Sequence, residues 1–448
     1  MALNSASQFS GDIESYIADE TLPLARRQLV AYQFGDPLEL PEGRGTTYTA
    51  VRYNRIPLPF APLSEGVPPV GETMTIGTVT ATAQQWGDKV SITDVSELTI
   101  KHPLFKKGIE LVSLQVSETL ERNTFNALMA LTQVNYVNSR GSRAALVAGD
   151  VLDPFTVIRT HAALKTLGAP RFMGDERTDM KLDADAGGAK ASRNPRSMPH
   201  YVAICHTLVV GDFRQNSTVV QAWTYSDLNR LYNYEAGEWS GIRFCDSNMV
   251  PTFTGVAAVN GSAQASGGAL ATNTYYVQVT GQDTQNQYES RIYQVSAGIS
   301  VTGPNGSIQV TTPNTAGFTY NVYVGTTTSP ANLGLSASGP TSGPLLGQAT
   351  QLPPNTVVTI TGTGVAQTPP AAPATGLTVY PTFIFGRGAY GQVLLKDVEF
   401  TYLKAADKSD PLNQLRIIGW KCFYGTLIEN QNFAARIESV SAFSSTFG

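Results

Sequence analysis

Between Thr252 and Tyr380 the chain carries three charged side chains, Asp283, Glu289 and Arg291. The full 448 residues are 15% charged, already below the roughly one quarter of an ordinary soluble protein. The flanks differ from the segment they enclose. "GIRFCDS" before it and "YPTFIFGRGAYGQVLLKDVEF" after it mix charged, polar and apolar residues in the usual way. A composition that shifts and then shifts back marks a segment placed between two strands of a host. The length exceeds a single typical core, so two to four domains are expected.

Inside the charge-poor stretch the pattern is that of short strands. "NTYYVQVTGQDTQNQYESRIYQVS" and "GFTYNVYVGTTTSPANLG" alternate and are rich in Tyr, Val and Thr. "GSIQVTTP" and "NTVVTITGTG" are further strands. Turn residues recur every 8–12 positions or so, the spacing expected of a β-sandwich. The arrangement resembles fibronectin-type or immunoglobulin-like modules. We therefore expect an all-β sandwich over 252–379, with "SGGALAT" and "QTPPAAPATG" as linkers. Its two ends should lie close together, because the host strands on either side must meet.

The host reads in order. Residues 1–45 have scattered apolar positions and form an arm. Residues 46–92 predict a long hairpin: "TTYTAVRYNRI" and "TMTIGTVTATAQQWGDKVSIT" alternate around a Pro- and Gly-rich loop. Such a two-stranded hairpin is marginal alone in water, so it packs on its own body or on a neighbouring molecule. In residues 103–133, Phe105, Ile109, Val112, Val116, Leu120, Ala127 and Leu131 follow helical spacing with a break at Asn123. That predicts a spine helix starting at Pro103. A second helix opens at an N-cap Asp153 with Pro154 behind it and closes at Gly168. Residues 172–199 read as an exposed polar loop, "HYVAICHTLVVGDFRQ" starts as a buried strand, and "GLTVYPTFIFGRGAYGQVLL" with "DPLNQLRIIGWKCFYGTLIENQNFAARIESV" read as the returning strands.

Chemistry is hard to find. Net charge −4 and a pI of 5.7 leave no basic footprint for nucleic acid. Cys205, Cys245 and Cys422 are far apart, without metal or disulfide spacing, and read as buried reduced thiols. The N-terminus lacks a secretory pattern and no apolar run reaches the roughly 18 residues of a membrane span, so the expectation is a soluble protein of a reducing cytoplasm. His200 and His206 stand about 20 Å apart along one strand, too far to share a metal. Phosphate-loop, nucleophile-elbow and zinc-helix motifs are missing. Glu235 and Glu238 are the one carboxylate pair to weigh as acid and base, against a solvated turn. The cluster "WTYSDLNRLYNYEAGEW" could stack rings but suits core packing. No catalytic residue, cofactor or metal is expected.

The order of parts, together with the words "APLSEGVPPVGETMTIGTVTATAQQWGDKVSITD", "ALVAGDVLDPFTVIRTHAALKTLGAP", "YVAICH", "GIRFCDS", "YPTFIFGRGAYGQVLL" and "DPLNQLRIIGWKCFYGTLIENQNFAARIES", resembles the major capsid proteins of tailed bacteriophages. These share the Hong Kong ninety-seven-type fold, and the likeness within them is to the family typified by phage N-four. The resemblance implies an α+β chain divided into an N-terminal arm (1–45), an extended loop over an adjacent subunit (46–92), a peripheral domain with the spine helix (93–149), an axial domain (150–251) and return strands (380–448), with the sandwich (252–379) as an addition. The polar loop at 172–199 also departs from the family pattern.

The function implied is self-assembly, as hexamers and pentamers, into an icosahedral shell around packaged double-stranded DNA. That shell belongs to the virion and is assembled in the bacterial host cytoplasm. Further partners implied are portal, scaffolding and decoration proteins; contact with DNA would be non-specific, through phosphates, and no membrane is involved. Candidate contacts between subunits are Arg26 and Arg27 in the arm and Arg52, Arg55, Phe60, Glu65, Trp86 and Asp88 in the hairpin. Some capsids of this fold crosslink through a Lys of the extended loop. Residues 46–88 contain no Lys, the first being Lys89, so the shell is expected to be non-covalent. The sandwich is expected on the outer face, either inert or shell-stabilising, or binding a neighbour, a decoration protein or a surface glycan. Two rivals stand beside this reading: an encapsulin-like compartment, which would hold protein cargo, and an adhesin acting through the sandwich.

Overall fold

The computed structural model describes residues 29–41, 43–54, 56–58, 62, 71–99, 104–172, 199–219, 232–283, 288–335, 351–362, 368–403 and 414–443. The polar loop and most of the arm expected from the sequence fall outside them. In chain order, β1 (Asp36–Glu39), β2 (Thr47–Tyr53), β3 (Ile76–Thr82) and β4 (Gln84–Thr93) precede helices α1 (Asp94–Thr99) and α2 (Leu104–Leu128). Then come β5 (Val134–Tyr136), α3 (Pro154–Thr166), β6 (Tyr201–His206), α4 (Thr207–Gln215), β7 (Glu235–Trp239) and β8 (Ile242–Ser247). The charge-poor stretch holds β9 (Phe253–Val256), β10 (Gly261–Gln264), β11 (Asn273–Asp283), β12 (Glu289–Tyr293), β13 (Ile299–Val301), β14 (Ser307–Thr311), β15 (Phe318–Gly325), β16 (Gly334–Leu335) and β17 (Val357–Ile360). The chain closes with β18 (Thr378–Phe385), β19 (Tyr390–Leu403), β20 (Leu415–Ile428) and β21 (Ala434–Val440).

The chain forms two compact units. The smaller takes Gln85–Glu118 and Lys396–Phe423; the larger takes Gln28–Gln84, Thr119–Leu395 and Tyr424–Gly448. The boundary therefore falls inside α2 and inside the long strands β19 and β20. In the smaller unit β4 lies beside β20. Their backbones meet closely at Gly87, where a Cβ would stand 2.6 Å from the Trp420 carbonyl oxygen, so only glycine fits there.

The larger unit is organised by a sheet that forks at β18. One edge of β18 pairs with β21 from Val379↔Val440 to Phe385↔Ala434. The other edge pairs first with β9 at Thr378–Val379 and then with β6 at Phe383–Phe385. From β6 the sheet continues to β8 and β7; from β9 it continues to β12, β11, β15 and β16. Strand β6 runs parallel to β8. Alternate residues of β6 enter different cores: Tyr201, Ala203 and Cys205 pack with Val157 and Leu164 of α3 and Val209 of α4, whereas Val202 and Ile204 pack with Phe125 and Leu128 of α2. A strand covered on both faces has no solvent side, which is why "YVAIC" shows no polar alternation.

Helix α3 has the predicted ends. The Asp153 carboxylate accepts from the Thr156 amide at 3.1 Å, Pro154 occupies the first turn, and Gly168 takes φ +72° just past the end. The three cysteines are buried and free; burial pushes the Cys205 thiol up to about 12, which makes it inert.

The charge-poor stretch is a sandwich. One layer is the three-stranded sheet β10–β14–β17, the other the β12–β11–β15–β16 arm of the forked sheet. Val277, Val279, Val322 and Val324 from one layer and Ile308, Val310, Val358 and Ile360 from the other fill a single core. Its ends meet as expected: Thr254 pairs with Thr378, and their hydroxyls lie 3.0 Å apart. The segments expected to be linkers are instead built in. Leu270 bridges to Gly306, the Gly255 amide donates to the Leu377 carbonyl and the Gly376 amide to the Gly255 carbonyl, and Ala372 lies in the host core. The parallel pairing of β12 with β9 makes the sandwich an extension of the host sheet rather than a bead on a string. Composition cannot show this, because a small-residue segment reads the same whether it is free or hydrogen-bonded.

Candidate assembly surface

The predicted hairpin is half right. Strands β2 and β3 pair antiparallel from Thr47↔Thr82 to Tyr53↔Ile76. The alternating run that continues through "QQWGDKVSIT" leaves the hairpin at Ala83. This residue is buried and donates its amide to the Thr46 carbonyl at 2.8 Å. Beyond it the chain is β4, in the smaller unit's sheet. Alternation alone could not locate this break, since both halves keep the same period of two.

Directly paired residues share a face of a sheet, so the hairpin has two distinct sides. Tyr48, Ala50, Val79 and Ala81 pack against Leu40, Ala83, Val393 and Leu427. Val51, Tyr53 and Ile76 lie on the opposite side with 54%, 68% and 58% of their surfaces in water. Beyond the strand ends Met74, Ile56 and Leu58 are also exposed. Exposed apolar residues gathered on one face are uncommon on a soluble monomer.

The predicted contact residues divide by position. Arg52 is exposed on β2 opposite Gly77, on the hairpin as expected. Trp86 and Asp88 are not on the hairpin but on β4. There the Asp88 carboxylate accepts from Gln115 Nε2 at 2.6 Å, and Gln115 Oε1 accepts from Trp420 Nε1 at 3.1 Å. Asp88 thus holds the spine helix within its own subunit. Arg26, Arg27, Arg55, Phe60 and Glu65 lie outside the described residues. Glu235 and Glu238 form neither an acid–base pair nor a solvated turn. Arg243 binds both, Glu235 at 2.6 Å and Glu238 at 3.1 Å, and Glu235 is buried. Of the aromatic cluster, residues 223–231 lie outside the described residues, and Trp239 lies edge-on to Phe213 in the core.

One residue that anchors the chain near this surface was missed. Glu121, on α2, is fully buried and accepts three backbone N–H groups, Val30 at 2.7 Å, Ala31 at 2.6 Å and Tyr32 at 2.9 Å. Burial pushes its carboxyl above the ordinary range while the three amides pull it back. The held segment is further fixed by Tyr390 Oη and Gln392 Nε2, which donate to the Ala31 and Tyr32 carbonyls, each at 2.6 Å. The signal in the sequence was a carboxylate two residues before the Asn123 break in the apolar stripe. It became interpretable only with a distant segment 90 residues away in sequence on top of it.

No protein-family model and no curated protein matches the sequence. The structure does resemble solved ones. The capsid of cyanophage Pam1 superposes over 98% of both chains with a TM-score of 0.51 and 10% identity. The chain has the fold of a phage capsid protein. The capsid of Ralstonia phage GP4 matches over 96% of both chains (TM-score 0.48, 8% identity), and that of Helicobacter pylori bacteriophage KHP30 over 98% of both (TM-score 0.48, 8% identity). Among the described residues no helix is long and apolar enough to cross a membrane, and no cluster of His, Cys, Asp or Glu could hold a metal ion.

Proposed function

We propose that this chain is the major capsid protein of a tailed bacteriophage, a structural subunit that assembles with copies of itself into the icosahedral head shell. The observation that carries this reading is the hairpin: a capsid-type chain leaves Val51, Tyr53 and Ile76 in water on one face while the other face is packed on its own body. A neighbouring copy supplies the missing cover. The extended loop thus joins adjacent subunits as hexamers and pentamers close, and many modest contacts of this kind hold the shell. The enclosed cargo is double-stranded DNA, touched non-specifically through phosphates. Portal, scaffolding and decoration proteins are its further partners, the host cytoplasm is the place of assembly and the virion its destination. The sandwich projects from the outer face, where an added domain disturbs no neighbour.

The test is to express the full chain alone and image it by electron microscopy. Closed shells or capsomer rings with surface knobs are the expected result. If only monomers form, phage lysate supplying scaffold and portal is added; a chain still monomeric then contradicts the reading. Protein rather than DNA inside shells recovered from infected cells would assign it to a compartment instead.

A further inference from the structure

Within the larger unit the charge-poor segment and the host strands enclose an open pocket of about 540 Å³, within the range of small-molecule sites. Its floor holds Arg143, Arg436 and Tyr288, each more than nine-tenths buried. Pro369 and Pro370 form a wall, and Asn126 stands on the exposed rim.

Two guanidiniums on the floor meet at one carboxylate. Arg143 and Arg436 share one carboxylate, Glu438, which is completely buried. Arg143 grips it with two bonds, Nε to Oε2 at 2.7 Å and Nη2 to Oε1 at 2.6 Å, and gives Nη1 to the Ala371 carbonyl at 3.1 Å. Its guanidinium also stacks 3.9 Å from the centre of the Phe253 ring. Arg436 is less well served. Its Nη1 donates to the Met129 carbonyl at 2.6 Å. Its Nε lies 3.2 Å from Glu438 Oε1 but without hydrogen-bond geometry. Among the described residues its Nη2 has no hydrogen-bond partner. Burial pulls its pKa down, Glu438 pulls it back up, and the neighbouring Arg143 lowers it again. Its Nε is buried beside Glu438, whereas Nη2 is reached by solvent, so an anion arriving from the open side can take the place of water on that donor.

We propose that this pocket binds a monocarboxylate carrying an apolar ring. The unengaged Arg436 Nη2 offers a charged donor to a carboxylate. The Tyr288 ring and the prolines offer flat walls for the body, and Glu289 on the lining disfavours a dianion such as phosphate. The lining comes from both the inserted segment and the host, so the ligand fastens one to the other. This inference does not rest on the assembly reading.

The test titrates the full chain with benzoate and with its neutral isostere benzamide by calorimetry. Benzoate binds, and benzamide binds about tenfold to a hundredfold more weakly, the factor expected for a lost charged hydrogen bond. Arg436→Met weakens benzoate by a similar factor. Because that substitution also touches Glu438, Asn126→Trp is the independent check: it fills the pocket from the rim, abolishes benzoate binding and leaves the unfolding midpoint unchanged. N-acetylglycylphenylalanine separates the two sources of the carboxylate; tighter binding than benzoate assigns the carboxyl terminus of a peptide, weaker binding a free acid. Absence of benzoate heat, equal affinity for benzoate and benzamide, or binding that survives Asn126→Trp overturns the proposal.

Discussion

Replacing Val51, Tyr53 and Ile76 together by threonine tests whether the outer hairpin face is an assembly contact. Threonine keeps the strand preference of a β-branched residue and removes most of the apolar surface. The three side chains have 54%, 68% and 58% of their surfaces exposed. Fully burying one such side chain stabilises by about 1.5–3 kcal/mol, so covering the exposed fractions is worth roughly 3–5 kcal/mol per copy. Losing most of it weakens each contact by about a hundredfold or more. The isolated subunit should hardly notice, since exposed substitutions cost within about 0.5 kcal/mol each. Two measurements on the same preparation decide: urea unfolding of the subunit, and sedimentation velocity as a function of protein concentration. The expected result is an unchanged unfolding midpoint with assembly pushed to much higher concentration. Shells forming at the wild-type concentration would refute the reasoning. A large drop in the unfolding midpoint would refute it too, because the face would then be packed on its own body.

Glu121→Ala leaves three buried amides without an acceptor and should cost about 3–5 kcal/mol, read by urea unfolding and by faster hydrogen exchange at Val30, Ala31 and Tyr32; a loss below about 1 kcal/mol would show that water replaces the carboxylate. His206 is half-buried, with its Nδ1 accepting from the Leu208 amide at 3.2 Å, and desolvation lowers its pKa to about 4. The neutral form is therefore favoured in the fold: its contribution is complete above the ordinary value of 6.5 and is lost as pH falls from there toward 4, up to about 3 kcal/mol. His206→Asn should remove that slope from a plot of stability against pH, and an unchanged slope would assign it to another group. Because residues 46–88 contain no Lys, boiled shells should run as monomer on a denaturing gel, and a ladder of multimers would contradict a non-covalent shell. A density map of the shell should place the sandwich outside; density on the inner face would reverse its orientation.

Local signals carried much of the architecture. Helix α3 was legible to its ends because capping is decided by four or five consecutive residues: Asp153, Pro154 and Gly168 announce it. The sandwich strands were legible because period-two alternation of Tyr, Val and Thr survives whatever they pack against. The meeting of Thr254 with Thr378 followed from chain continuity alone. The outer hairpin face was legible only as a problem, a pair of strands too poor in large apolar residues to stand by itself.

Other features depended on distant parts of the chain. The break at Ala83 is one: both halves of "TATAQQWGDKVSIT" alternate, and only the close approach of Gly87 to Trp420 assigns the second half to another sheet. Glu121 is another, a carboxylate on a helix whose purpose is three amides from the start of the chain. The sharing of Glu438 by Arg143 and Arg436 joins residues almost 300 positions apart. What the sequence by itself determined is the local grammar, namely strands, caps, a spine helix and the foreign composition of residues 252–379. The tertiary structure decided which faces are covered, which charges meet and which apolar surface is left in water. The physical reason is that propensity and periodicity act over a few residues, whereas burial and charge pairing belong to groups the chain brings together only once it has folded.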